Sequence, residues 1–99
     1  MIYCRQWTLE NGYCYALKFD ESTETIEEET LQRCNKQDWE DIDVDNSDIE
    51  KDVHPFPSLR FVVFTGLVKK TKYRVQIKIK RGSGVRNIET KEFEIPGRK

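Results

Sequence analysis

The 99-residue chain is predicted to fold as an all-β sandwich, and three observations predict it. Tyr73, Val75, Ile77 and Ile79 alternate strictly with Arg74, Gln76, Lys78 and Lys80. An apolar face set against a polar, cationic one is the pattern of a half-buried antiparallel strand. Just upstream, the strand-like run Leu59–Thr65 stops at Gly66-Leu67, and a short basic corner leads into Thr71-Lys72-Tyr73. Further short apolar runs are separated by turn-forming clusters, Glu10-Asn11-Gly12 and Arg81-Gly82-Ser83-Gly84.

Taken in order, residues 1–8 alternate loosely and end near Trp7. Tyr13–Phe19 is a strand with Tyr13, Tyr15, Leu17 and Phe19 on one face. Residues 20–58 form a long acidic connection in which 17 of 39 residues are charged. Its anchors are Ile26, Leu31, Trp39, Ile42, Val44, Ile49, Val53 and Phe56. Residues 27–31 are expected to form a helical turn, because Glu and Leu favour helix. Residues 37–44 are expected to form a strand and most of 45–57 a mobile loop, with Pro55 and Pro57 ending structure before the next strand. Leu59–Thr65 follows as a strand. Lys72–Lys80 is the alternating strand. The glycines of the 81–84 turn are free to take positive φ, and Val85–Ile95 is the last strand.

The size is that of one domain, 1–99, able to bury a core without metals. No run approaches the length of a membrane span, and no basic-then-apolar leader opens the sequence. Charge is balanced overall but lopsided: residues 1–57 hold 5 Lys/Arg against 15 Asp/Glu, and residues 58–99 hold 12 against 3. Within one small domain the two halves can neutralise each other. Cys4, Cys14 and Cys34 are odd in number, so at least one thiol is free or bridges to another chain. With a single histidine, His54, and no CxxC spacing, a zinc site is not expected.

The Leu67…Thr71-Lys72-Tyr73 corner resembles the tyrosine corner of fibronectin type III domains, a branch of the immunoglobulin-like sandwiches in which a Tyr hydroxyl bonds back to the turn. By that resemblance Trp7 marks strand B and Tyr13–Phe19 is strand C. Leu59–Thr65, Lys72–Lys80 and Val85–Ile95 are then E, F and G, and the family's offsets from Leu67 imply that Val62 and Phe64 point inward and Phe61 and Val63 outward. Strand A is then missing, and the 20–58 insertion lies between C and E. Arg5 departs from the family, which has an aliphatic residue two before that Trp. In this register Trp7 faces inward and Cys4 outward from one sheet, while Cys14 faces outward from the other. Packed sheets lie about 10 Å apart and a disulfide needs Cα atoms within about 7 Å, so Cys4 and Cys14 are not expected to bond.

Within the insertion, Cys34-x4-Trp39-x3-Asp43-Val44-Asp45, upstream of the corner, resembles the first fibronectin type III domain of insulin-receptor-family ectodomains. That resemblance implies a non-catalytic extracellular module of a cell-surface receptor, with no cofactor. It implies that Cys34 forms an inter-subunit disulfide, giving a homodimer. It also implies that the outward face of the sheet holding B and E, including Val63 and its neighbour Phe61, touches an insulin-like peptide. On strand B the matching positions are Ile2 and Cys4.

No nucleophile–base motif or phosphate-cradling loop points to catalysis. The carboxylates are expected in a solvated run rather than in a pocket that would shift their pKa. The turn reads Arg81-Gly82-Ser83, lacking the acid of an integrin-binding RGD. Two other readings stand beside the receptor. One is a generic adhesion or cytokine-receptor-type module. The other is an intracellular polyanion-binding domain using the basic ladder Lys72, Arg74, Lys78 and Lys80. Nucleic acid is disfavoured because that face has little aromatic interleaving, and the ladder is expected to pair with acidic residues of the adjacent C′ strand (residues 37–44) and its loop.

Overall fold

A computed structural model describes residues 3–95, the side chain of Tyr3 excepted. Nine strands form two antiparallel sheets packed as a sandwich: β1 (Tyr3–Thr8), β2 (Gly12–Lys18), β3 (Glu24–Asn35), β4 (Asp38–Asp41), β5 (Glu50–Phe56), β6 (Leu59–Thr65), β7 (Lys72–Arg81), β8 (Gly84–Glu89) and β9 (Phe93–Glu94). One sheet, sheet A, has the order β1-β2-β6-β5. The other, sheet B, runs β4-β3-β7-β8, with β9 also pairing β7. This is the ABED-over-CFG order of an immunoglobulin-like sandwich with a C′ strand added.

That order moves the sequence-based assignment by one strand. β1 and β2 are neighbours in one sheet, with Cys4 opposite Leu17 and Trp7 opposite Cys14. They therefore occupy the A and B positions, not B and C, and no strand A is missing. The acidic connection supplies C, C′ and D as β3, β4 and β5. Residues 27–31 are extended, not helical. A bulge lies between Ile26 and Glu28, so Ile26 pairs Ile79 and Glu29 pairs Ile77. Both reach the interior three residues apart, and that spacing imitates a helix. Residues 50–56 form strand β5 rather than a loop. Pro55 fits there because β5 is an edge. Within residues 37–44 only Asp38–Asp41 are strand, and a 3-10 turn follows at Val44–Asn46. The last strand is broken into β8 and β9, with Thr90 between them donating through its backbone N–H to the Val75 carbonyl at 3.0 Å.

The core comprises Tyr13, Tyr15 and Leu17 of β2, Leu31 of β3, Val62 and Phe64 of β6, and Tyr73, Val75, Ile77 and Ile79 of β7, with Leu67, Phe93 and Ile95. Burying an aliphatic side chain of this size contributes about 1.5–3 kcal/mol. The corner closes as the sequence predicts: the Tyr73 hydroxyl accepts from the Val68 N–H at 2.9 Å, and Leu67 is buried. Gly66 sits at φ 82°, and a Cβ there would lie 2.8 Å from the Asp48 carbonyl oxygen. Both conditions require glycine.

The two flanks of the sandwich close differently. On the β1 side the Gln6 side chain accepts from the Lys91 N–H at 3.2 Å and donates to the Lys91 carbonyl at 3.4 Å, while Tyr13 donates to it at 3.1 Å. Beside it, Phe93 stacks face to face on Tyr13, ring centroids 3.6 Å apart. On the β5 side the closure is ionic. Glu29 of sheet B receives Arg60 Nε at 2.8 Å and Arg60 Nη2 at 2.7 Å, Lys51 at 3.3 Å, and the Tyr15 hydroxyl, all from sheet A. Its side chain is 3% exposed.

Candidate functional site

The parity of β6 decides where a partner could dock. Val62 and Phe64 point into the core, so Leu59, Phe61 and Val63 point out. The ladders set Phe61 between Ala16 and His54, and Val63 between Cys14 and Asp52. Trp7 stands opposite Cys14 on β1 and reaches over to stack on Phe61, centroids 6.3 Å apart and planes at 22°. His54 meets the same ring edge-on at 5.9 Å. Trp7 is 44% exposed and Phe56, on the same outward side of β5, is 55% exposed. The result is an aromatic, largely apolar patch, with Arg5, Lys18, Glu50 and Asp52 at outward positions around it.

Trp7 is thus not the inward residue that the sequence register expects. Moving β1 from B to A inverts its phase: Cys4 packs against the core and Trp7 faces out. Cys4 is therefore no outward contact position, and Ile2 lies outside the described residues. The outward B positions are Cys14 and Ala16. Cys4 and Cys14 are both free, but not because two sheets separate them. They lie on adjacent strands of one sheet and point to opposite faces. Burial raises both thiols above the ordinary range.

Cys34 is free and half-buried near the end of β3, opposite Trp39 of β4. It shares the outward side of sheet B with Arg74, whose guanidinium lies 4.2 Å from the Trp39 ring centroid. Part of that face is internally matched. Arg74 donates to Gln32 at 2.8 Å and to Glu89 at 3.2 Å, and Lys78 pairs with Glu28 at 3.7 Å. The partners of Arg74 and Lys78 come from β3 and β8, not from the C′ strand and its loop. Lys80 lies opposite Thr25 and Val85. Lys72 lies at the start of β7 opposite Glu94. Thr71 supports the corner, its hydroxyl donating to the Lys69 carbonyl at 3.3 Å.

Glu29 is the residue that sequence reasoning missed. It is not part of a solvated run. Burial pushes its carboxyl up, but hydrogen bonds from Arg60 and Tyr15 and the charges of Lys51 and Arg60 outweigh burial and hold it below the usual carboxylate range. Burial also raises the Tyr15 phenol, and the neighbouring carboxylate adds to this. A signal existed: Arg60 is in phase with inward Val62 and Phe64, and an inward arginine needs a carboxylate. Glu29 has all its strong partners within the fold, so it reads as a staple. Among the described residues no group of His, Cys, Asp or Glu is placed to hold a metal ion, and no helix is long and apolar enough to cross a membrane.

The chain matches no protein-family model and no curated protein sequence.

Proposed function

We propose that this chain is a non-catalytic receptor-type interaction module of the fibronectin type III kind, binding a protein partner on the outward face of sheet A. The observation that carries the proposal is the Trp7–Phe61–His54 cluster with Val63 beside it. Exposed aromatic residues grouped on one face mark an interface more often than scattered apolar residues do, and Trp and Tyr are enriched where binding energy concentrates. The resemblance in Cys34-x4-Trp39 and the tyrosine corner names the kind of partner, an insulin-like peptide, and places the module in an ectodomain. It also gives Cys34 the role of an inter-subunit disulfide. The position of Cys34 suits that role, since Cys14 is buried and Cys4 packs against the core.

Two measurements test the proposal. Insulin immobilised on a sensor surface should retain the chain, and Phe61→Ser or Val63→Asp should weaken retention at least about tenfold, the loss of one interface anchor. Equal retention of the parent chain and both variants, or none for any, removes sheet A as a hormone contact. On non-reducing gels the air-oxidised chain should run as a dimer that Cys34→Ser abolishes. A disulfide dimer that persists in Cys34→Ser assigns the bridge to another thiol.

A further inference from the structure

On sheet B's outward face Arg74 and Lys78 are ion-paired, whereas three lysines gathered at one end of the molecule are not. Lys36 in the β3–β4 turn, Lys70 in the corner and Lys72 at the start of β7 line one open recess, together with Cys34, Thr71 and Glu94. None of the three forms an ion pair among the described residues. Glu94, across the ladder from Lys72, is the single carboxylate in the lining. Lys36 and Lys70 hold φ angles of 62° and 58°, a left-handed region that costs a long side chain and that Gly or Asn fills more easily. Two separate turns each carry a lysine in that conformation, at the same recess. Three gathered cations against one carboxylate leave an excess of positive charge, and a bound anion relieves the resulting repulsion.

We propose that this recess binds the sulfate groups of an anionic polysaccharide. Lysine presents a compact point charge to a tetrahedral oxyanion and imposes no planar, bidentate geometry. The lining contains no aromatic ring on which a base could stack, which argues against single-stranded nucleic acid. This site stands apart from the outward face of sheet A, and either can fail without the other.

The test is titration of the chain with a heparin dodecasaccharide at low salt, read by calorimetry. Affinity should fall as salt rises, as it does for lysine–polyanion contacts. The triple variant Lys36→Asn/Lys70→Asn/Lys72→Gln should bind at least about tenfold more weakly, with Asn chosen because it tolerates the left-handed turns. Lys72→Gln lies in a regular strand and should alone weaken binding several-fold, which decides the matter if the triple variant folds poorly. The ladder variant Lys78→Gln/Lys80→Gln should stay within about threefold of the parent, since those side chains lie outside the recess. The proposal is overturned if Lys72→Gln leaves affinity unchanged, or if the ladder variant loses as much as the triple variant. Equal binding of a single-stranded dodecathymidylate through the same lysines overturns it too.

Discussion

The two outward faces of the sandwich are built from similar strands and end with opposite characters. Sheet B carries long cationic and anionic side chains that answer one another across the ladders: Arg74 to Glu89 and Gln32, Lys78 to Glu28, Gln76 to Glu89. Sheet A carries Trp7, Phe61, Val63 and His54, whose mutual contacts leave ring faces in water. Opposite charges on neighbouring strands consume each other's binding capacity, whereas stacked rings still have surface to bury. A charged face is therefore a weaker indicator of a partner than a smaller aromatic one.

That contrast can be broken from several sides. The largest effect should come from Glu29→Ala, which strips the common counterion from Arg60 and Lys51 where the sheets face each other. Loss of one partner from a buried pair costs about 3–5 kcal/mol, read as a lower urea midpoint. The same carboxyl sets a pH dependence. Its folded pKa lies below its unfolded one, so its contribution is present above about pH 4.3 and is lost as pH falls through the folded value. Glu29→Gln should lose that part of the acid sensitivity. An unchanged acid slope would show that Glu29 is not the group responsible.

Next comes Trp7→Ala. Insulin retention should fall by about 2 kcal/mol or more, the scale of an interface anchor, while the urea midpoint changes little because Trp7 is 44% exposed. A large loss of stability with unchanged retention would make Trp7 part of the fold and not of the interface. Tyr73→Phe should cost about 1 kcal/mol by removing the bond from Val68, leaving binding intact. The smallest effect belongs to sheet B. Lys78→Gln should change stability by less than about 0.5–1 kcal/mol, as exposed ion pairs do, and should not alter retention. Measurable loss of the hormone in that variant would erase the distinction between the faces.

Strand β7 was legible in the sequence because it has one wet and one dry face, and period-2 alternation records that directly, whereas β6 was legible as a short apolar run ended by Gly66. The corner was legible because Leu67, Thr71 and Tyr73 are local to one another. The outward placement of Phe61 and Val63 followed from their offsets to Leu67 in the resembled family, since Phe61–Phe64 are all apolar. β3 was not legible, because its bulge replaces a spacing of two with one of three and its Glu-rich composition favours helix. β5 was obscured by its prolines and charges, which an edge strand tolerates.

By itself the sequence determined the all-β class, the E–F corner and the inward phase of β7, since each depends on residues within a few positions. Only the tertiary structure decided that β1 pairs β2 in one sheet, which turned Trp7 outward and Cys4 inward. It alone brought Glu29 to Arg60 and set Lys36 in one recess with Lys70 and Lys72. Those placements join residues far apart in the chain, and they depend on which sheet each strand enters. That choice rests on the burial of the whole core, to which no short stretch of sequence has access.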